Sequence, residues 1–243
     1  MKNLRLFVIL CVLISPWAVL DAVGGWTDVL QKTLDSVSGD GQLENTDIVN
    51  GLKEALEIGT AQAVQVAGQE NGYLDHPTIK IPLPESMASA ETLLRAAGMG
   101  DQLDAFVVSM NRAAEQAAPE AQSIFWDAIK QMEFDDAKRI LNGRDNEATL
   151  YFQDKTTDKL TTVFKPLVRQ AMEEVGVTQQ YHTLETGAEA IPFLSDWLVD
   201  LDDYVTAEAL EGLFFLVAEE ETKIREDPAA RVTDLLQKVF ATP

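Results

Sequence analysis

The chain reads as an all-α protein, with a single compact domain of about eight to ten helices. Three observations predict this. Apolar residues recur at i, i+3, i+4 and i+7 over most of the length. Prolines and glycines fall where such stripes begin and end. Only residues 76–84 alternate in the manner of a strand, and they carry Pro82 and Pro84, which cannot donate to a ladder. That segment is expected to be an edge strand at best, and better a packed loop.

The N-terminal segment is the first element with a distinct character. Lys2 and Arg5 form a positive end, residues 6–14 are an unbroken apolar run, and Pro16 ends it before the small residues Ala18, Ala22 and Gly24. Nine residues of helix rise about 13 Å, too short for a bilayer core of roughly 30 Å. Residues 1–24 are therefore expected to be a cleavable secretory signal, cut after Gly24. An uncleaved anchor extended through Leu20 is the alternative. Residues 25–43 follow as an amphipathic helix, with Trp26, Val29, Leu30, Leu34 and Val37 on one face, and a tether. The helical domain is expected over 44–243.

Within the domain, Leu103, Phe106, Val107, Met110, Ala113, Ala114 and Ala117 form one stripe. Leu160, Val163, Phe164, Leu167, Val168 and Ala171 form a second, interrupted by Pro166, where a kink or break is expected. Leu210, Leu213, Phe214, Val217 and Ile224 form a third. Pro119 marks a helix start, and Gly98, Gly100 and Gly143 mark ends at which a left-handed glycine is expected. Asp200, Asp202 and Asp203 are placed to start or cap a helix. Asp227 and Pro228 read as the cap and first position of a last helix reaching Phe240.

Composition excludes more than it selects. Forty acids against 19 bases give a net charge of −21, which argues against a general nucleic-acid surface. One cysteine, inside the signal, permits no disulfide framework, and two histidines leave little for a metal centre. No phosphate loop, nucleophile elbow or zinc-protease helix is present. His182 and Glu185 lie one turn apart but lack further ligands. No metal and no cofactor is implied.

Three polar clusters stand out as candidate ligand or partner sites. Asn111, Arg112 and Glu115 interrupt the alanine-rich stripe, with Arg112 and Glu115 spaced to pair. Asp135, Arg139 and Asn142 precede a turn, after which Tyr151 and Lys155 lie on successive turns of a helix. Arg225 and Arg231 flank the Asp227–Pro228 cap. The plainer account is a set of caps and ion pairs joining packed helices. On that account at least two of Arg112, Arg139, Arg225 and Arg231 should be largely buried, bonded across helix junctions to carboxylates or C-terminal carbonyls.

These clusters fall in a series of blocks. Gly51-Leu52-Lys53-Glu54-Ala55-Leu56, Ile79-Lys80-Ile81-Pro82-Leu83-Pro84-Glu85 and Met110-Asn111-Arg112-Ala113-Ala114-Glu115 are followed by Asp136-Ala137-Lys138-Arg139-Ile140-Leu141-Asn142-Gly143, Asp203-Tyr204-Val205-Thr206 and Ile224-Arg225-Glu226-Asp227-Pro228. In this order, over roughly 44–241, they resemble the bacterial family catalogued as domain of unknown function 4197. The resemblance implies an exported helical envelope protein of Gram-negative bacteria, and it brings no catalytic residue or cofactor.

The function expected from the sequence is a non-enzymatic helical module of the cell envelope, periplasmic or secreted, binding a protein partner or a lipophilic small molecule. The segment 79–84 and the pair Phe214 and Phe215 are the candidate apolar linings. The alternatives are a structural subunit of an envelope assembly, or an acid–base enzyme using carboxylates such as Glu115 and Asp135.

Overall fold

The computed structural model describes residues 45–88, 91–174, 179 and 200–226. Helix accounts for 83% of what can be interpreted, and none of it is strand. Seven helices exceed a single turn among the described residues: α1 (Asn45–Gly68), α2 (Glu91–Ala96), α3 (Gly100–Ala117), α4 (Ala121–Gln131), α5 (Phe134–Asn142), α6 (Glu147–Glu174) and α7 (Leu201–Glu226). A one-turn helix, Glu85–Ala88, and a 3-10 turn, Ala118–Glu120, complete the set. The count is slightly below the expected eight to ten. The expected signal, N-terminal helix, last helix, His182–Glu185 pair and Arg231 lie outside the described residues.

The long helix α7 packs along both α1 and α6, and α3 lies against α6. The predicted stripes supply the buried faces. Phe106 and Met110 of α3, Phe152 and Phe164 of α6 and Leu213 of α7 enter one core with Phe125 of α4. The Phe125 ring meets Phe152 edge-on at 5.3 Å and Phe214 at 6.1 Å, so Phe214 is core. Phe215 is half-buried, its ring edge-on to His76. Burying each such side chain contributes about 1.5–3 kcal/mol.

Four local expectations meet the structure differently, and Gly100, expected to end α2 along with Gly98, instead opens α3. Gly98 has φ +82°, and the bonds from its N–H to the Arg95 carbonyl and from the Met99 N–H to the Leu94 carbonyl close the left-handed end predicted for α2. Gly143 also ends a helix, but with φ −87° and ψ −162° it is extended rather than left-handed. Its glycine is needed for space, since a Cβ there would lie 2.4 Å from Glu147 Cγ and 2.7 Å from the Arg139 carbonyl oxygen. Pro166 does not break its helix, for α6 runs through it without interruption. The missing donor and ring clash cost about 3 kcal/mol. Phe164, Val168 and Ala171, buried on either side of it, offset that cost.

Residues 76–84 are a packed loop, as the prolines require. Ile79 and Ile81 point into the core, and the His76 ring Nδ1 accepts from the N–H groups of Thr78 and Ile79. The loop reaches α7 because position 212 is glycine. A Cβ on Gly212 would sit 2.7 Å from the Tyr73 ring and 3.0 Å from Ile79 Cβ.

Candidate functional site

Asn111 is fully buried on α3, and its side-chain amide pairs with the backbone of Ile81 in both directions. The Ile81 N–H donates to Oδ1 at 2.9 Å, and Nδ2 donates to the Ile81 carbonyl at 2.9 Å and to that of Val107 at 2.8 Å. An asparagine amide has the donor and acceptor of a peptide group. Asn111 thus gives the extended loop the partner that a neighbouring strand would otherwise supply. One turn further along, Glu115 accepts the N–H groups of Tyr73 and Leu74 on a single oxygen, at 3.1 and 3.2 Å. Its other oxygen meets the Arg112 guanidinium at 2.5 Å, and Arg112 continues to the Asn71 side chain at 2.6 Å. Asn71 itself is left-handed, with φ 66°, a conformation asparagine tolerates better than most residues. The neighbouring Tyr73 is fully buried and donates its hydroxyl to the Ala209 carbonyl at 2.6 Å. Burial and the nearby Glu115 charge push this phenol far above its ordinary range.

A second buried glutamate repeats the arrangement. Glu221 of α7 accepts the N–H groups of Ala148 at 2.9 Å and Thr149 at 2.8 Å, together with the Thr149 hydroxyl at 2.8 Å. These are orphan donors of the first turn of α6, so Glu221 caps that helix from another one. Arg225, one turn along α7, bonds Glu221 at 2.8 and 3.1 Å and donates to the Ile140 carbonyl at the end of α5, at 2.9 Å. Arg112 and Arg225 are 24% and 16% exposed. Arg225 is therefore held across a helix junction as expected, whereas Arg112 reaches a loop residue rather than a second helix. Arg139 bridges no junction, since it is exposed and pairs with Asp136 on its own helix at 3.3 Å.

The remaining candidates are dispersed. Asp135 is exposed in the first turn of α5, and Asn142 donates back to the Lys138 carbonyl at 2.8 Å. Tyr151 is buried, with its hydroxyl on the Ala128 carbonyl at 3.2 Å; burial and the charge of Asp136 raise its pKa. Lys155 is exposed and pairs with Asp154 at 3.2 Å. Tyr151 and Lys155 line an open polar trench of about 500 Å3 between α4, the start of α5 and α6. A second open groove, about 420 Å3, lies between the 80–84 loop, α2 and α3. Pro82, Leu83, Val107 and Val108 form its apolar wall, and Arg95, bonded to Glu91 and Asp104, stands at its rim. Beside Arg225 there is a crevice of only about 20 Å3. The described arginines of the three clusters, Arg112, Arg139 and Arg225, line no common cavity among these.

Sequence reasoning missed Glu221, although its position carries a signal. It falls on the buried stripe, four residues after Val217 and three before Ile224, at a place where a charge needs a partner.

The family model described as a protein of unknown function (DUF4197) matches residues 42–241. The chain belongs to that family. Both glutamate–arginine pairs, Asn111 and both grooves of this DUF4197 protein fall within the matched region. No curated protein and no solved structure matches it significantly. Among the described residues no His, Cys, Asp or Glu group is placed to hold a metal ion, and no helix is long and apolar enough to cross a membrane.

Proposed function

We propose that this protein is an exported, non-enzymatic helical module of the Gram-negative envelope that docks a protein partner on the apolar groove beside the 80–84 loop. The groove's wall carries the reading. Val108 is 39% exposed there, and Pro82, Leu83 and Val107 extend the apolar surface around it. An open groove of this kind suits the side chains of another protein better than a free lipophilic molecule, which needs most of its surface enclosed. The crevice near Arg225, at about 20 Å3, is far below the roughly 300–1,000 Å3 of ordinary ligand sites.

The acid–base alternative draws no support from the geometry. Glu115 is committed to two backbone donors and an arginine, Asp135 stands exposed on α5, and the two share none of the grooves described here. Support for export comes from the basic end, apolar run and small residues of 1–24. A photocrosslinking side chain placed at Val108 or at Leu83 in producing cells is expected to give a protein adduct. The same group at Gln153, exposed on α6, is expected to give none. Equal labelling at all three positions, or none at any, would count against docking. Recovery of a cytoplasmic chain still beginning at Met1 would count against export.

A further inference from the structure

The polar trench differs from the apolar groove in kind, and nothing about it depends on what that groove binds. Its floor includes the apolar Ile124 and Ala128 of α4. Along α6, Tyr151, Lys155 and Lys159 recur every fourth residue, so they share a face, and the helical rise separates the first from the last by about 12 Å. The lysines are confined to one part of that line, each beside a carboxylate, and the other part carries carboxylates without a lysine. At the Tyr151 end stand the carboxylates of Glu133 and Asp136, which also cap the start of α5 by each accepting the other's backbone N–H. Arg139 offsets part of that negative charge through its bond to Asp136. At the far end Lys159 meets Asp127 at 3.0 Å, and Lys155 sits between, on its chain neighbour Asp154 at 3.2 Å. Both lysines are exposed at their heads and able to turn toward a ligand.

We propose that this trench binds a short peptide with free ends, its amino group at Glu133 and Asp136 and its carboxylate at Lys155 and Lys159. The lengths agree, since three extended residues span about 10 Å. The volume, about 500 Å3, lies within the usual range for ligand sites. The net charge of the chain favours the same class of ligand. At −21, the protein's long-range field repels an anion before it reaches the lysines. A zwitterion carries no net charge and is selected only within a Debye length, where the two trench ends differ. A simple amine would satisfy only the acidic end.

Trialanine is the probe, titrated calorimetrically into the full chain beside its N-acetylated and its C-amidated forms. Trialanine is expected to bind, and each blocked form to bind at least about tenfold more weakly. In a Lys155→Gln/Lys159→Gln variant, acid and amide forms should bind alike, whereas the amine preference persists. In Glu133→Gln the amine preference should fall and the carboxylate preference remain. Both variants alter exposed side chains, Glu133 being also the N-cap of α5, and an unchanged circular dichroism spectrum and urea midpoint check that the helices are intact. The proposal is overturned if trialanine does not bind, if blocking either end leaves its affinity unchanged, or if acetate or propylamine alone binds as well.

Discussion

Glu115 and Glu221 are two buried glutamates given the same task in different settings. Each takes two consecutive backbone N–H groups from another part of the chain, and each is neutralised by an arginine on its own helix. Arg112 precedes its glutamate by three residues, and Arg225 follows its own by four. The donors differ. Glu221 closes the first turn of a 28-residue helix, where the helix dipole already favours an anion. Glu115 holds Tyr73 and Leu74 in a loop that has no dipole to help. The arginines differ as well, because Arg225 goes on to a buried helix end and Arg112 to the side chain of a loop residue, Asn71. One clamp therefore joins three helices, and the other fastens a loop to the bundle. A charged pair within an apolar stripe need not signal chemistry when backbone donors saturate it.

The largest expected effect separates these settings. Glu221→Ala strands two helix N–H groups, a threonine hydroxyl and Arg225, and should lower unfolding free energy by about 3–5 kcal/mol. Glu115→Ala leaves one buried loop donor, at Tyr73, and one at Leu74 that water can reach more easily, and about 2–3 kcal/mol is expected. Urea titrations of the two variants would show this ordering, and the reverse order would mean that the loop clamp dominates. Next in size is Asn111→Leu, which unpairs the Ile81 N–H and carbonyl at a cost of about 2 kcal/mol. Hydrogen exchange should localise that loss to residues 79–83, leaving the first turn of α6 protected.

A smaller effect tests the loop side through pH. Half-buried Glu208 lies near Tyr204, whose hydroxyl holds the Pro82 carbonyl at 3.1 Å. Burial, and then the charge of Glu211, raise the Glu208 pKa. A carboxyl raised on folding favours the protonated fold, so its stabilising contribution is present at low pH and is lost as pH rises through the folded value. Glu208→Gln should therefore raise the urea midpoint near pH 7, about 3 units above an ordinary carboxyl, with the gain fading toward about pH 4. The smallest effect belongs to Arg139→Ala. This arginine's bond to Asp136 is exposed, and a change within about 0.5 kcal/mol is expected in the same titration.

The helical architecture was legible because stripes such as Leu103–Phe106–Met110 and Leu160–Phe164–Val168 depend on local spacing alone. The end of α2 at Gly98 was legible for a similar reason. Gly143 was read correctly as a helix end and wrongly as left-handed, since what it avoids is Glu147, a neighbour brought close by the following turn. The break expected as one outcome at Pro166 does not occur, because a local rule about lost donors says nothing of how much apolar surface the surrounding helix buries. In the clusters, Arg112 with Glu115 could be paired from sequence, being three residues apart. Glu221 with Ala148 and Thr149 could not, because more than seventy residues separate them. The groove beside Val108 and the trench beside Lys155 likewise come from separate elements whose approach no spacing encodes.

The central claim is that Arg112 and Arg225 serve the fold. Urea unfolding of Arg112→Ala and Arg225→Ala, measured side by side with the unaltered chain, tests it most directly. Both midpoints should fall, and Arg225→Ala should fall further, by about 3 kcal/mol, because it leaves Glu221 charged and unpaired in the interior. If both variants unfold at the midpoint of the unaltered chain, the arginines do not hold the fold together, and the ligand-site reading of their clusters gains what the structural one loses.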